Sequence, residues 1–303
     1  MAFADARGLA SYDRRMPSVA LATCRDLPSG DEDGDALVSA LAATGVDARW
    51  QVWDEPSAQW SGELVVVRST WDYTADRAAF LAWARSVPRV ANPAQVMAWN
   101  SDKTYLRDLA EAGVPIVPTT WAAPGEPVEL PVTGEFVVKP SVGAGSKGAG
   151  RFRSTAIAEA HAHVAHLHDA SRVVLVQPYL ADVDSVGETS LVYLDGVFSH
   201  AIGKAAMLPA ATVNPLDPGF SASLFVEERI SAREASARER EVGEQVMAYL
   251  ADHVGVLLYA RVDLLPAPDG PRVLELELTE PSLFLGYSHG AADRFARAIA
   301  SRA

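Results

Sequence analysis

This chain of 303 residues has little cysteine and no long apolar run. Its single cysteine, Cys24, cannot form an internal disulfide, and no companion base marks it as a nucleophile, so we expect a small buried residue at a strand end. No uncharged run approaches the ~20 residues of a membrane span, and residues 1–15 are too charged for a signal peptide. These absences predict a cytoplasmic protein with no membrane partner, beginning with a loose tail at 1–15.

Positive charge is also scarce. The chain has 26 lysines and arginines against 39 aspartates and glutamates, a formal net charge of -13. The summed field therefore repels nucleic acid, and a few local cations must hold any phosphate ligand. We expect no nucleic-acid partner.

Lysine is the rarest basic residue, since arginine supplies all but four of the 26 basic side chains. An ammonium packs among phosphate oxygens as a compact point charge, unlike a planar guanidinium, so these lysines are candidate phosphate ligands. Lys103 begins a predicted helix, Lys139 ends a strand and Lys204 ends a hairpin strand. Lys147 lies inside a glycine-rich loop and could equally be a solvated surface residue.

The order of apolar segments predicts an α/β fold with α+β subdomains. In the first third, apolar strands alternate with amphipathic helices, which is typical of a small parallel sheet with helices on both faces. Ligands collect at the carboxyl ends of such strands, where residues 24–26 and 68–73 would lie. We divide the chain into a tail and three parts, with these bounds: 1–15, 16–99, 100–180 and 181–303.

Later segments have clear turn and helix signals. A helix is predicted over residues 100–113, ending at a glycine. Asp195-Gly196 predicts a β-hairpin, and a second hairpin joins residues 257–265 to 273–278. Residues 206–229 read as a long loop, and Ser231 to Glu234 have the spacing of a helix capping box.

The glycine-rich loop 141–150 follows the strand that ends at Lys139. Glycines at 143, 145, 148 and 150 would let backbone N–H groups approach phosphate oxygens. Their spacing matches neither a Walker nor a Rossmann motif, and without Lys139 a plain flexible loop would be the better interpretation. The candidate nucleotide contacts in this loop are Gly145, Ser146 and Gly148.

Acidic residues alternate on the final predicted hairpin. Arg261 and Asp263 share one face of a strand, and Glu275 and Glu277 share the matching face of its partner. Apolar neighbours imply that these strands are half buried, where like charges need a cation, and an all-oxygen site suits Mg²⁺. The alternative is a solvent-facing polar side of an edge hairpin.

Histidines give weaker signals. The four histidines of the predicted helix at residues 155–168 are spread around it, away from its apolar stripe, so a metal site there is disfavoured. His200, near Lys204, has either a substrate role or an ordinary surface or packing role. No serine or cysteine motif for covalent catalysis is present.

Taken together, these motifs resemble the ATP-grasp superfamily, and within it the glutathione-synthetase-like ligases. The resemblance covers residues 100–290 and rests on five features in order: Lys103, Lys139 with its glycine-rich loop, residues 176–180, Arg261 with Asp263, and Glu275 with Glu277 before Pro281. It implies an ATP-grasp fold preceded by a parallel-sheet domain. It also implies that a carboxylate is activated as an acyl phosphate and attacked by a nitrogen.

A narrower resemblance extends over nearly the whole chain. Residues 22–24, 68–73, 99–103 and 188–204 are similar to the cyclo-ligases of cycloserine biosynthesis. The similarity implies ATP-dependent closure of O-ureido-D-serine to D-cycloserine in antibiotic biosynthesis. Two departures are notable: Glu277 stands where many relatives have asparagine, and Ser190 stands where arginine is usual. The usual substrate contact is then either absent or supplied elsewhere, with Arg68 as the candidate.

The resemblance also implies residue roles. Lys103 and Lys139 would bind phosphates, Glu188 the ribose, and the hairpin carboxylates Mg²⁺, with Mn²⁺ as an alternative metal. Arg261, Lys204 and Lys139 would be catalytic. The implied adenine contacts are Gln177, Tyr179 and Leu180. The implied substrate contacts are Arg68, Ser69, Thr70, Asp72, Tyr73, His200 and Ser282.

Two other functions stay open at this point. One is an intermolecular ligase that joins two amino acids or extends a peptide, and the other is a nucleotide-binding regulatory module without chemistry. We expect a small amino-acid-like substrate and a homo-oligomeric assembly.

Overall fold

A computed structural model of the chain describes residues 16–206, 208–216 and 229–303. The predicted tail at 1–15 and most of the predicted loop at 206–229 lie outside the described residues. None of the helices within the described ranges is long and apolar enough to cross a membrane.

The first sheet is parallel, as predicted, with strand order β2-β1-β3-β4. Its strands are β1 (Ser18–Thr23), β2 (Asp47–Val52), β3 (Leu64–Ser69) and β4 (Val90–Ala91). Its helices are α1 (Gly34–Ala43), α2 (Arg77–Ser86) and α3 (Ala94–Asn100). Apolar side chains of α1 fill one face of the sheet, and those of α2 and α3 fill the other. Helices therefore cover both faces, which confirms the predicted layers.

The second sheet is antiparallel and has the strand order β5-β8-β6-β7. Its strands are β5 (Thr120–Ala122), β6 (Glu135–Pro140), β7 (Gly150–Arg153) and β8 (Val174–Pro178). Helix α4 (Tyr105–Glu111) precedes it, and α5 (Ile157–Asp169) packs on the face that holds Phe136, Val138 and Val176. The glycine-rich loop connects β6 to β7, so it lies at one end of this sheet.

The helix predicted over residues 100–113 is interrupted. Helix α3 ends at Asn100 and α4 begins at Tyr105. The Asn100 side chain donates to Leu276 O at 2.7 Å and accepts from Leu278 N at 2.7 Å. These buried bonds hold Asn100 beside residues 276–278, and the chain turns at Lys103 instead of continuing as one helix.

The third sheet is antiparallel and has the strand order β11-β10-β9-β12-β13. Its strands are β9 (Glu188–Leu194), β10 (Val197–Lys204), β11 (Ile230–Arg233), β12 (Tyr259–Leu265) and β13 (Arg272–Glu277). Its helices are α6 (Val183–Val186), α7 (Ala237–His253) and α8 (Ala291–Ala300). Both predicted hairpins are confirmed, β9 with β10 and β12 with β13.

Apolar packing joins the third sheet to its neighbours. Helix α7 covers one face with Val242, Val246 and Leu250. Helix α8 packs Phe295 and Ile299 into the core that it shares with α1 and the first sheet. Val192, Leu194 and Tyr259 belong to the same core, so the rest of the face opposite α7 is left for polar side chains.

The predicted capping box at Ser231 to Glu234 is wrong. Ser231 lies in β11, where it pairs with Gly203 of β10. The capping box begins instead at Ser236, whose hydroxyl accepts from Glu239 N, while the Glu239 carboxylate accepts from Ser236 N at 2.7 Å. The same residue spacing occurs twice, and pairing with a distant strand removes the first from helix formation.

This correction has a measurable consequence. Ser236→Ala should lower the free energy of unfolding by about 1 kcal/mol, because it leaves the Glu239 N–H in the first turn of α7 without its side-chain acceptor. The matched variant Ser231→Ala, on an exposed strand position, should change it by less than ~0.5 kcal/mol. Urea denaturation of both variants measures the difference, and a larger loss in Ser231→Ala would contradict the assignment of the cap.

Candidate active site

The register of β12 and β13 places four charged side chains on one face of the third sheet. Arg261 is opposite Glu277, and Asp263 is opposite Glu275. The residues that alternate with them belong to the hydrophobic core behind the sheet. The predicted convergence of these side chains is therefore present.

Strands β9 and β10 extend this charged face. Glu188 of β9 is opposite Lys204 of β10, and Ser190 is opposite Asp263 of β12. The Lys204 Nζ lies 3.1 Å from Glu188 Oε1 and 3.4 Å from Asp263 Oδ2. Thr189, between the two face residues, points the other way and donates to Glu239 of α7 at 2.6 Å. Lys204 is thus held by carboxylates from two strands.

Arg261 and Asp263 form a buried, bidentate ion pair. The Arg261 Nε and Nη2 donate to Asp263 Oδ1 and Oδ2, each at 2.9 Å. Arg261 also pairs with Glu277 and donates through Nη1 to Ser282 O at 3.0 Å. Burial opposes ionisation of Asp263, but Arg261 and Lys204 outweigh it and hold its pKa well below its usual range.

Two lysines reach this face from outside the third sheet. Lys139, at the end of β6, and Lys103, in the turn before α4, place their Nζ atoms 3.3 and 3.6 Å from Glu275 Oε1. Lys103 also donates to Gly143 O in the glycine-rich loop at 2.6 Å. Burial lowers the pKa of Lys139, and its neighbour Lys103 adds to this, while Glu275 opposes both. The site therefore combines ammonium groups and carboxylates from distant segments.

Acidic side chains outnumber basic ones on the charged face and at its edge. Burial, with help from Asp263 and Glu275, raises the pKa of Glu277 to about 7 despite its pairing with Arg261. Burial and the nearby Glu277 raise the pKa of Glu280 to about 8. The carboxylates are Glu188, Asp263, Glu275, Glu277 and Glu280, and the cations are Lys103, Lys139, Lys204 and Arg261. A further cation would stabilise this surplus of acids.

The described residues contain no group of three His, Cys, Asp or Glu side chains arranged to hold a metal ion. The carboxylates predicted as metal ligands, Asp263, Glu275 and Glu277, each contact a lysine or arginine instead. Their chemistry still fits Mg²⁺, because all three are oxygen donors and they lie on two paired strands.

The glycine-rich loop is anchored on both sides. Gly148 N donates to Pro215 O at 3.1 Å, and its carbonyl lies 2.9 Å from His163 Nε2 of α5. Ser146 O accepts from the Asn214 side chain at 3.0 Å, whereas Gly145 is exposed. His163 is buried, so the expectation that all four histidines avoid the buried face of α5 is wrong. The contact between His163 and Gly148 O therefore ties α5 to the glycine-rich loop.

The predicted adenine segment lies along the same sheet. Gln177 is buried and donates to Thr119 Oγ1 at 2.9 Å, and Leu180 is half buried. The Tyr179 ring is covered by Arg151, whose Cζ lies 3.4 Å from the ring centroid. Arg151 was not predicted, although it follows the glycine-rich loop and pairs with Glu135 on the neighbouring strand. Its position beside Tyr179 makes it a further candidate contact for a nucleotide.

The N-terminal substrate candidates are more buried than expected for ligand contacts. Arg68, Ser69 and Thr70 are fully buried. The Ser69 hydroxyl lies 2.7 Å from that of Thr23, and the Arg68 Nη1 donates to Pro281 O at 3.2 Å. Arg68 therefore supports the segment after β13, and a direct substrate contact stays a prediction.

The remaining substrate candidates surround this junction. Asp72 is half buried and accepts from Trp53 Nε1 at 2.8 Å, and Tyr73 is buried. His200 lies on the charged face, but its Nε2 is 2.9 Å from Leu283 O, and burial lowers its pKa. Ser282 is half buried, and its carbonyl accepts from Arg261.

Comparison with solved structures places this arrangement in a known class. The ATP-grasp ligase PsnB, solved with a phosphomimetic variant of its minimal precursor, Mg and ADP, matches with a TM-score of 0.58 at 19% identity. The match covers 94% of this chain and 98% of that chain and shows a shared fold. The predicted ATP-grasp fold with its N-terminal parallel sheet is confirmed.

More similar relatives narrow the class. The crystal structure of D-cycloserine synthetase DcsG matches with a TM-score of 0.82 at 38% identity, covering 94% of this chain and 99% of that chain. The cycloserine biosynthesis protein DcsG of Streptomyces lavendulae is 39% identical over 290 residues, which is 90% of this chain and 94% of that protein. The family described as D-cycloserine synthetase DcsG, N-terminal domain, matches residues 19–95. The chain belongs to the DcsG family of ATP-grasp ligases and is an ATP-dependent carbon–nitrogen ligase.

Proposed function

We propose that the protein uses ATP and Mg²⁺ to activate the carboxylate of O-ureido-D-serine and close it to D-cycloserine. ADP and phosphate are released, and the carbamoyl group on the attacking nitrogen leaves by hydrolysis as carbon dioxide and ammonia. The observation that carries this proposal is the meeting of Lys103 and Lys139 with the Glu275 carboxylate across two sheets. The family relationship supports the substrate and the ring closure.

The two lysines would bind the nucleotide phosphates. Both ammonium groups converge on one Glu275 oxygen, so together they can contact neighbouring phosphate oxygens of a single triphosphate. The glycine-rich loop, which accepts the bond from Lys103 at Gly143, would supply backbone N–H groups from Gly145, Ser146 and Gly148. As a lid it would exclude water and protect an acyl phosphate from hydrolysis.

The hairpin carboxylates would hold Mg²⁺. Asp263, Glu275 and Glu277 are the oxygen donors, and the bound ion would neutralise charge on the phosphoryl group in transfer. Within the described residues Glu277 forms an ion pair with Arg261 alone, whereas Asp263 and Glu275 each pair with two cations.

Arg261 and Lys204 would stabilise negative charge on the substrate. Their cationic groups lie on either side of Asp263, which fixes both by hydrogen bonds. Burial opposes the charged form of Lys204, and Asp263 and Glu188 outweigh it and raise its pKa, so it stays a cation. Such fixed charges favour the transferring phosphoryl group and the oxyanion formed when nitrogen attacks.

The other proposed contacts belong to the nucleotide and the substrate. Gln177, Tyr179 and Leu180 would hold adenine, with Glu188 near the ribose. The segment at residues 68–73, with His200 and Ser282, would shape the substrate side of the site. Arg68 supports that side through Pro281 O, whichever groups touch substrate.

Product analysis tests the proposed reaction. With ATP, Mg²⁺ and O-ureido-D-serine, we expect ADP formation that depends on the amino acid and on the metal, and a product with the mass of D-cycloserine. A product joining two organic substrates would instead support an intermolecular ligase. Tight ATP binding without phosphate release across a broad carboxylate screen would contradict catalysis and support a regulatory module.

A further inference from the structure

Glu280 differs from the other acids of the site. Glu188, Asp263, Glu275 and Glu277 each form an ion pair with a lysine or arginine. Within the ranges that the structure describes, the Glu280 side chain has no such ion pair and no hydrogen bond to another residue. It is nevertheless only 9% exposed. A buried carboxylate of this kind is costly unless a cation joins it.

Hydrogen bonds to the neighbouring backbone fix the position of Glu280. Trp71 Nε1 donates to the Glu280 carbonyl at 3.0 Å, and Arg68 Nη1 donates to the next carbonyl, that of Pro281, at 3.2 Å. On the other side, the Tyr259 hydroxyl donates to Thr279 O at 2.9 Å. The three donors come from β3, from the segment that follows it, and from β12. They hold the backbone of residues 279–281 in place, and with it the Glu280 side chain.

The surroundings of Glu280 favour a cationic ligand. Lys103 and Arg261 stabilise its charge from a distance, but both already serve other carboxylates. Tyr73 is buried, and the negative charge of Glu280 adds to burial in raising its pKa, which places the acid near the predicted substrate segment. Burial and Glu277 raise the pKa of Glu280 itself to about 8, so an added cation would favour its charged form.

We infer that Glu280 binds the α-ammonium group of the amino-acid substrate. This inference rests on the proposed function, in which Arg261 and Lys204 attract the substrate carboxylate. An α-amino acid carries its ammonium one carbon away from that carboxylate. Glu280 lies in the electrostatic field of Arg261 and follows Glu277 by three residues. The site thus presents a cation and an anion to the two ends of a zwitterion, and it selects substrates with a free amino group.

Paired substrates test this role. The two probes are O-ureido-D-serine and 3-(ureidooxy)propanoate, which lacks only the amino group. The native enzyme should prefer the first by about 10- to 100-fold in kcat/KM, as expected for one charge-assisted hydrogen bond. In Glu280→Gln the preference should fall to nearly 1, because only the aminated substrate loses a contact, and KM for ATP should stay within about threefold.

Controls separate this role from others. Glu241→Gln, on the exposed face of α7, should keep the native preference, and thermal unfolding of Glu280→Gln should show an intact fold. If Glu280→Gln keeps the native preference, or loses activity equally with both probes, the inference is overturned while the proposed function stands. If the native enzyme turns over neither probe, the proposed function fails and the inference fails with it.

Discussion

Replacing Asp263 with asparagine is expected to lower kcat about 1000-fold, the upper range for loss of one preorganised electrostatic group. Asp263 lies between Arg261 and Lys204 and is proposed to hold Mg²⁺, so the change removes a metal ligand and loosens two cations together. Steady-state ADP release at saturating ATP and substrate measures the effect. Raising the Mg²⁺ concentration should recover part of the activity, because the site keeps Glu275 and Glu277.

The fold should survive this substitution. Arg261 retains Glu277 and Lys204 retains Glu188, so the loss of stability should be smaller than the ~3–5 kcal/mol of a completely broken buried pair. Asp269→Asn makes the same chemical change in the turn of the same hairpin, where the side chain is 67% exposed, and should leave kcat within about twofold. Unchanged turnover in Asp263→Asn would contradict the proposal that Asp263 is a metal ligand.

Lys139→Met should lower kcat/KM for ATP by about 10²- to 10³-fold, ~2.7–4 kcal/mol. The methionine retains the apolar stem of the lysine and removes the ammonium that lies 3.3 Å from Glu275. The phosphates would lose a fixed cation, and Glu275 would keep only Lys103. The loss should appear both in nucleotide affinity, measured by calorimetry, and in turnover.

Lys147→Met is the matched control for Lys139. Lys147 is half buried in the glycine-rich loop, and within the part of the chain that the structure describes its side chain has no hydrogen bond or ion pair. We expect a change of less than about threefold in its kcat/KM for ATP. Equal losses of kcat/KM in the two variants would show that positive charge near the loop matters in general. That result would contradict the proposal that Lys139 contacts the phosphates directly.

The charged face could be predicted because strand periodicity is strict. Side chains two apart share a face, and the turn around Asp269-Gly270 aligns the two strands, so Arg261 and Asp263 had to meet the acids of β13. The rarity of lysine added the partners from other segments. The individual ion pairs could not be predicted from the sequence. In the structure Lys139 contacts Glu275, and Arg261 contacts Glu277.

Features that depend on distant pairing were missed. Strand β11 forms because it pairs with β10, and its sequence alone gave a better match to a helix cap at Ser231. Strand β7 likewise pairs with β6, which brings Arg151 beside Glu135 and Tyr179. In each case a local pattern was outweighed by tertiary contacts.

Glu280 is a site residue that the sequence alone did not identify. Its position directly before Pro281, close behind the alternating acids, was a visible signal. Its significance lies in the lack of a described cationic partner and in the bracing by Trp71 and Arg68, which only the folded chain provides. The domain boundaries, the homo-oligomeric state and the individual ligand contacts stay predictions.

The most direct measurement is a crystal structure with a non-hydrolysable ATP analogue and Mg²⁺. It should show the Nζ atoms of Lys103 and Lys139 within hydrogen-bonding distance of phosphate oxygens, and the metal between those phosphates and Asp263 with Glu275 or Glu277. A nucleotide bound elsewhere, with Lys139 still paired to Glu275, would contradict the proposal that these distant charges surround a single triphosphate.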